Sequence, residues 1–212
     1  PAGGADRVRR LGGGQTGVVR RLVLASLVVV LLAGCSDDGG EASSSATAPS
    51  ISVAMVPDAI DLSADGPTSA SGRVTIPGFD EVGVEVTNDA GEVLEWCLLL
   101  AAAAEQYTQG LMSVVDLGEY AGMLFDFPAD TNGGFWMRDT PMPLSIAYLD
   151  AEGAIVSTAD MDPCLDLGDQ CLTYPPEGLY NDTVEVPQGG LEALGLDGPA
   201  ARLTQSGACA PV

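Results

Sequence analysis

The sequence predicts a mainly β domain, a β-sandwich or barrel-like fold of short strands with one or two short helices. Three observations support this fold class. Apolar and polar residues alternate with a period of two, turn residues separate these runs, and the chain contains 14 Pro. The predicted folded part is about 130 residues long, which is enough to bury a single core.

The first predicted strands surround a turn. Val82, Val84 and Val86 alternate with polar or small residues and predict a strand. Asn, Asp, Ala and Gly at residues 88–91 predict a turn, and residues 93–100 predict the returning strand. Residues 101–112 are Ala-rich with Gly110 near their end, which predicts the main helix.

Short strands account for most of the remaining chain. We expect them at residues 123–127, 134–138, 145–149 and 154–158, with a hairpin loop at residues 150–153 between the last two. The final elements are a strand at residues 184–186, a short helix at residues 191–196 that ends near Gly, and a strand at residues 201–204.

The beginning of the chain predicts an export signal. Arg20 and Arg21 precede an uncharged apolar run at residues 22–33, which leads into Gly34 and Cys35. This order is typical of a secretory leader that ends in a lipobox. The apolar run of about a dozen residues is shorter than the roughly 20 that span a bilayer. We therefore expect residues 1–35 to be a signal peptide; a short buried helix or an ordinary signal anchor are the alternatives.

Lipidation of Cys35 would determine where the protein is located. Two or more acyl chains hold a protein stably at a membrane surface, where one chain does not. The expected partner is therefore the cell membrane, with the domain lipid-anchored on its extracytoplasmic face. Residues 36–72 are rich in Ser, Ala, Gly and Asp and predict a flexible tether. Residues 73–212 form the predicted domain.

The charge distribution excludes one class of partner. Five of the eight basic residues precede residue 22, so the chain after Cys35 has three Arg against 29 acidic residues, a formal net charge of −26. Such a chain repels phosphate backbones, and we expect no nucleic-acid binding. Solubility at high salt, binding of divalent cations and attraction of a basic partner are three explanations of this acidity.

The residues that are missing exclude several enzyme classes. The chain contains no His, so Ser-His-Asp and Cys-His sites and His-based zinc sites are excluded. It also lacks a Gly-rich phosphate loop followed by Lys. The sequence therefore favours a non-enzymatic function, with no cofactor expected.

Four cysteines remain after Cys35, an even number in an exported protein, which predicts two disulfides. Cys164 and Cys171 enclose a six-residue loop, which favours a local bridge. Cys97 and Cys209 then form the second bridge. A redox or metal-thiolate site is the alternative.

Four ordered motifs resemble the prokaryotic domain-of-unknown-function 192 family, over roughly residues 82–204. They comprise residues 110–112, 122–125, 135–140 and 143–150, the last followed by Gly153. Family members commonly have Lys-Asn where this chain has Arg138-Asp139, and Asp where it has Ser145. The resemblance implies a compact, mostly β domain that is often exported, and it implies no catalytic residue.

Trp136 and Arg138 are the main candidate ligand-binding residues, together with Tyr148. On a strand, Phe135 and Met137 would face one side, and Trp136 and Arg138 the other. An aromatic ring stacks on sugars and Arg binds carboxylates, so these residues predict a groove for a sugar or an anion. The alternatives are that the apolar residues are core and that Arg138 forms a salt bridge with Asp139 or Asp126.

A cluster of carboxylates is the candidate metal site. Asp160, Asp162, Asp166 and Asp169 lie in or beside the predicted stapled loop, and oxygen ligands from one loop suit calcium. A solvated loop is the alternative. A carboxylate- or calcium-dependent hydrolase of envelope polysaccharide is the second functional hypothesis.

Overall fold

The structure is a computed structural model, and it describes residues 58–212. These residues form eleven strands and two short helices. The strands are β1 (Ile60–Asp61), β2 (Asp80–Thr87), β3 (Val93–Ala101), β4 (Val114–Asp116), β5 (Met123–Thr131), β6 (Phe135–Trp136), β7 (Leu144–Leu149), β8 (Ile155–Met161), β9 (Thr173–Tyr174), β10 (Tyr180–Pro187) and β11 (Arg202–Gly207). The helices are α1 (Ala104–Gln109) and α2 (Gly190–Leu194). The predicted mainly β class with short helices is confirmed.

Seven strands form one sheet in the order β11-β2-β3-β5-β10-β7-β8. Neighbouring strands are antiparallel except β3 and β5, which are parallel. The sheet is curled. Gln205 on β11 donates a 3.1 Å hydrogen bond to Asp126 on β5, although two strands lie between β11 and β5 in the sheet. A single bridge between Ala154 and Arg202 joins the ends. The sheet is thus barrel-like without being a closed barrel.

Both faces of the sheet are buried, because successive side chains of a strand point to opposite faces. On β5, Met123 and Phe125 belong to one apolar core and Leu124 belongs to the other. All six residues of β7 are buried. The strand pairs β1-β4 and β6-β9, together with α1, supply residues that pack against the first core. A polar residue on the covered face of a central strand is therefore removed from water.

Residues 101–112 and residues 58–72 are among the segments whose structure differs from the sequence analysis. The stretch of residues 101–112 is not a continuous helix, since β3 extends to Ala101 and α1 spans only Ala104–Gln109. Sheet pairing of β3 on both sides overrides the helical propensity of alanine at this point. The described part of the predicted tether, residues 58–72, includes β1 and the buried Leu62.

No helix within residues 58–212 has the length and apolar character to cross a bilayer.

Two disulfides staple the domain, and both predicted pairs are confirmed. Cys97 on β3 is bonded to Cys209, with Cα atoms 5.4 Å apart and 112 residues of sequence separation. Cys164 is bonded to Cys171, with Cα atoms 5.8 Å apart. The first bridge joins the start of the sheet to the end of the chain, and the second closes the loop before β9.

Candidate ligand-binding site

Strand β6 carries Trp136, and hydrogen bonds to β9 hold it in place. Phe135 lies opposite Tyr174 and Trp136 lies opposite Thr173. Beneath this pair, the hydroxyl of the fully buried Tyr148 donates to the carbonyl oxygen of Tyr174. Aromatic edges pack below β6, with the ring centroids of Phe135 and Tyr148 5.9 Å apart. The exposed Trp136 therefore stands on a rigid aromatic base.

The segment after β6 is held against the stapled loop. Arg138 and Thr140 each form an isolated bridge with Cys164, and the amide of Asp139 donates a 2.9 Å hydrogen bond to the carbonyl oxygen of Cys164. Asp139 has a φ of 52°, in the left-handed region that Asn and Asp tolerate better than most other residues. This turn directs the side chain of Arg138 back toward Trp136.

Trp136 and Arg138 form one exposed face, which we call the Trp136–Arg138 face. The Trp136 residue is 38% exposed, and the Arg138 guanidinium carbon lies 5.5 Å from its ring centroid. Arg138 also forms ion pairs with Asp139 at 3.3 Å and with Asp169 at 3.2 Å. The Asp169 side chain is 86% exposed, so this second pair is screened by water and weak.

An apolar recess of about 150 Å³ lies at the stapled loop. Met137 lines it and the loop contributes Cys164 and Leu167, whereas Trp136 and Arg138 are not among its lining residues. Leu167 is 53% exposed and Leu172 is 73% exposed. Trp and Arg are residue types enriched in binding hot spots, and large exposed apolar side chains mark interaction surfaces.

A second, smaller cleft of about 30 Å³ lies on the other side of Trp136. The cleft contains the carboxyl of Glu185, which projects from the central strand β10 onto the covered face of the sheet. Glu185 is only 4% exposed. Burial raises its pKa to about 8. Other lining residues come from three of the motifs and include Gly110, Leu111, Phe125, Phe135, Trp136 and Thr140.

Two motif glycines permit the close packing around this cleft. Gly110 ends α1 with a φ of 45°, and a Cβ at this position would lie 3.3 Å from the Phe125 ring. A Cβ at Gly122 would collide with the backbone carbonyl oxygen of Glu185. Gly122 therefore requires glycine for steric reasons, whereas the positive φ and the tight contact at Gly110 favour glycine there. Both positions lie next to Glu185 or to the ring beside it.

The predicted binding residues are only partly brought together. Trp136 and Arg138 are adjacent and exposed, as the period-two alternation indicated. Tyr148 is not on this face, because it lies in the core with 0% exposure, and burial raises the pKa of its hydroxyl. Its contact with Tyr174 makes Tyr148 a support for β9 and not a residue that touches a surface ligand.

The four predicted metal-binding aspartates do not converge. Asp160 accepts a hydrogen bond from Ser145, and Asp169 pairs with Arg138. In the described part of the chain, one group of three potential metal-binding side chains has ligand atoms within 4.8 Å of one another. That group contains Glu81, Cys97 and Cys209, and its two cysteines are bonded to each other. Asp160, Asp162, Asp166 and Asp169 thus form no cage in this structure.

Sequence reasoning missed Glu185 and the apolar recess. Residues 184–186 predict only a strand, and the sequence carries no signal that both faces of this strand are covered. The expected lipidation site, Cys35, lies outside the described residues.

Comparisons with known proteins show the family and the fold. The DUF192 family model, described as "Uncharacterized ACR", matches residues 85–200. The structure is similar to a Sinorhizobium meliloti protein provisionally described as a transcription regulator, with a TM-score of 0.55 and 23% identity over 63% of this chain and 100% of that chain.

It is also similar to a protein of unknown function from Novosphingobium aromaticivorans. That match has a TM-score of 0.52 and 23% identity, over 68% of this chain and 94% of that one. None of the curated proteins matches the sequence. At this level of identity the two structures support the shared fold alone.

Proposed function

This chain belongs to the DUF192 family, and we propose that it is a non-enzymatic binding module held at the extracytoplasmic face of the cell membrane by lipid on Cys35. Its ligand or envelope partner contacts the Trp136–Arg138 face. The family assignment supplies the fold and no activity, so the proposal rests on the chemistry of this chain's own surface.

One observation carries the proposal: an exposed Trp lies against an Arg on a surface held by the stapled loop, and Met137, between them in sequence, lines an apolar recess. Leaving Trp136, Leu167 and Leu172 in water costs free energy that burial against a ligand would recover. The rigid base under β6 lowers the entropy lost on binding, because the side chains are already in position. Surfaces of this kind are typical of recognition sites.

The face suits a ligand with a flat apolar surface and an anionic group. A sugar ring or an apolar group would stack on Trp136, and a carboxylate would replace the exposed Asp169 as the partner of Arg138. A bidentate carboxylate pair with Arg is stronger than the single contact that Asp169 makes.

The charge of the chain argues against a nucleic-acid ligand. After Cys35 the chain has three Arg against 29 acidic residues, and phosphate binding requires clusters of Lys and Arg. The provisional description of the Sinorhizobium neighbour therefore does not extend to our proposal for this chain.

The membrane anchor can be tested separately from ligand binding. Cells that express the chain are labelled with radioactive palmitate and then fractionated. We expect the wild-type protein to carry the label and to be found in the membrane fraction. The Cys35→Ser variant should carry no label and should not be retained at the membrane by acylation. Equal labelling of the variant would contradict the lipid anchor.

Binding itself is tested with the full chain in mild detergent against panels of glycans, peptides and small anions. We expect at least one saturable ligand whose affinity falls in Trp136→Ala and Arg138→Ala. Glu152→Gln, an exposed change in the loop before β8, is the matched control. Failure of every panel to bind would count against the proposal.

One observation favours a second candidate function, hydrolysis of envelope polysaccharide. Asp126 and Asp182 lie opposite each other on β5 and β10. Burial, followed by the charge of Asp126, raises the pKa of Asp182 to about 6. A protonated acid beside a carboxylate is the pairing that glycosidases use. The test is the release of reducing ends from cell-wall glycans, measured with and without calcium. Release by the wild-type protein that is lost in Asp182→Asn would support this candidate over the binding module.

A further inference from the structure

The Glu185 cleft contains a buried acid whose role the Trp136–Arg138 face does not explain. Glu185 is only 4% exposed, yet it lines an open cleft. No hydrogen bond contributes to the pKa of its carboxyl. Removing a polar group from bulk water without giving it a partner costs free energy, so such groups are usually paired. A ligand that supplies the partner would remove this cost.

The walls of the cleft narrow the choice of ligand. Phe125 and Phe135 lie with ring centroids 4.9 Å apart in an edge-to-face arrangement, and Trp136 completes the aromatic lining. Aromatic faces attract cations, and they also pack against methylene groups. The hydroxyl of Thr140 donates to the carbonyl oxygen of Arg138, so its oxygen can still accept a hydrogen bond. The Glu185 carboxyl, the aromatic rings and the acceptor capacity of Thr140 together favour a cationic donor over an anion.

The size of the cleft selects among cations. About 30 Å³ accommodates roughly two water molecules, since one water needs at least about 10–15 Å³. An ammonium group with its adjoining methylene fits this space, whereas a planar guanidinium or a quaternary ammonium is larger. The net negative charge of the chain also raises the local concentration of cations.

We propose that the Glu185 cleft binds a primary ammonium group, with the Glu185 carboxylate as its counter-ion and the rings of Phe135 and Trp136 around its methylene stem. This goes beyond the proposed function, because it holds whether or not Arg138 binds a ligand. The ammonium can belong to a Lys side chain of a partner protein or to a free alkylamine, and the two sources share this chemistry.

Binding requires the transfer of one proton. Because the pKa of Glu185 is raised to about 8, the free carboxyl is protonated at neutral pH. When the ammonium enters, the O–H bond of the carboxyl breaks and its proton passes to solvent, while the ligand keeps all three N–H protons. Tyr107 from α1 lines the cleft, and Tyr148 from β7 interacts electrostatically with Glu185. Both hydroxyls have raised pKa values and stay neutral, so Glu185 is the group that titrates.

Calorimetric titration of the full chain with n-butylammonium chloride tests the proposal. We expect saturable binding with release of close to one proton at pH 7, measured in buffers of different ionisation enthalpy. The affinity should rise about tenfold per pH unit between pH 6 and 8 and then level off. n-Butanol, the neutral analogue, and tetramethylammonium should bind at least tenfold more weakly.

Variants separate the cleft from the general charge of the protein. Glu185→Gln keeps the shape and should weaken n-butylammonium binding at least tenfold and abolish proton release, whereas the exposed control Glu152→Gln should leave both unchanged. Gly110→Ala narrows the cleft and should also weaken the binding of n-butylammonium. A peptide with one Lys, compared with its acetylated form, then distinguishes a partner side chain from a free amine.

Two results would overturn the proposal. One is n-butylammonium binding that is equal in wild type and Glu185→Gln, which would mean general attraction by surface carboxylates. The other is no binding at millimolar concentrations by folded wild-type protein, which would make Glu185 a buried acid without a ligand.

Discussion

The buried hydroxyl of Tyr148 donates a 2.5 Å hydrogen bond to the backbone carbonyl oxygen of Tyr174. Tyr174 belongs to β9, whose other residue, Thr173, lies opposite Trp136. The Tyr148 side chain thus connects the core of the sheet to the Trp136–Arg138 face. Tyr148, which the sequence suggested as a ligand contact, lies in the core beneath this face.

Tyr148→Phe should weaken this connection. The variant leaves the Tyr174 carbonyl without its donor, and we expect a loss of about 1–2 kcal/mol in the free energy of unfolding. Faster hydrogen exchange should be confined to β6 and β9. Tyr107→Phe removes a similar hydrogen bond, to the Asp126 carbonyl oxygen, and is the control. Equal exchange in β9 for both variants would contradict the supporting role of Tyr148.

The two disulfides should differ in their contribution to stability. Bridging Cys97 and Cys209 restricts a loop of 112 residues, and replacing both by Ser should lower the free energy of unfolding by about 4–5 kcal/mol. The seven-residue separation of Cys164 and Cys171 predicts a smaller loss of about 2–3 kcal/mol. Denaturant titrations of the two double variants measure this order. A larger loss from the short bridge would contradict the loop-closure account.

Salt should stabilise the domain. The three Arg that follow Cys35 cannot neutralise 29 acidic side chains, so most carboxylates repel one another across the surface. Screening shortens the range of this repulsion from about 30 Å at 0.01 M salt to about 3 Å at 1 M. The melting temperature should therefore rise between these conditions. A constant or falling melting temperature would show that self-repulsion is unimportant.

Stability should also depend on pH through Glu185. Its pKa is raised from 4.5 to about 8, so the folded protein binds more protons than the unfolded chain in that interval. The associated stability is fully present below pH 4.5 and is lost as the pH rises to 8, at up to about 1.4 kcal/mol per pH unit.

Glu185→Gln should remove this slope between pH 7 and 8, where Asp182, with its pKa raised to about 6, is largely ionised and contributes little. Unfolding free energies measured at several pH values in both proteins test the prediction. The same slope in the variant would mean that another group is responsible.

The fold class and the two disulfides followed from local features of the sequence. Alternation at Val82, Val84 and Val86 marked β2, and the short spacing of Cys164 and Cys171 marked their bridge. Residues 101–103 were assigned to a helix because alanine propensity is a local property, whereas pairing of β3 with two other strands is not.

The Glu185 cleft could not be predicted from the sequence. Its lining residues come from α1, β5, β6, β10 and the segments that follow α1 and β6, and only the folded sheet brings them together. The same polar-apolar alternation describes a strand with one face in water and a strand covered on both faces. Burial of Glu185 is a property of the layers packed on β10, which no local pattern reports.

The central claim is that ligands bind at the Trp136–Arg138 face. The most direct test is the affinity of a ligand from the glycan, peptide and anion panels for four proteins: wild type, Trp136→Ala, Arg138→Ala and the control Glu152→Gln. We expect each of the first two variants to weaken binding at least tenfold, while the control and the melting temperatures stay unchanged. Binding that is equal in all four proteins would place the ligand elsewhere and contradict the claim.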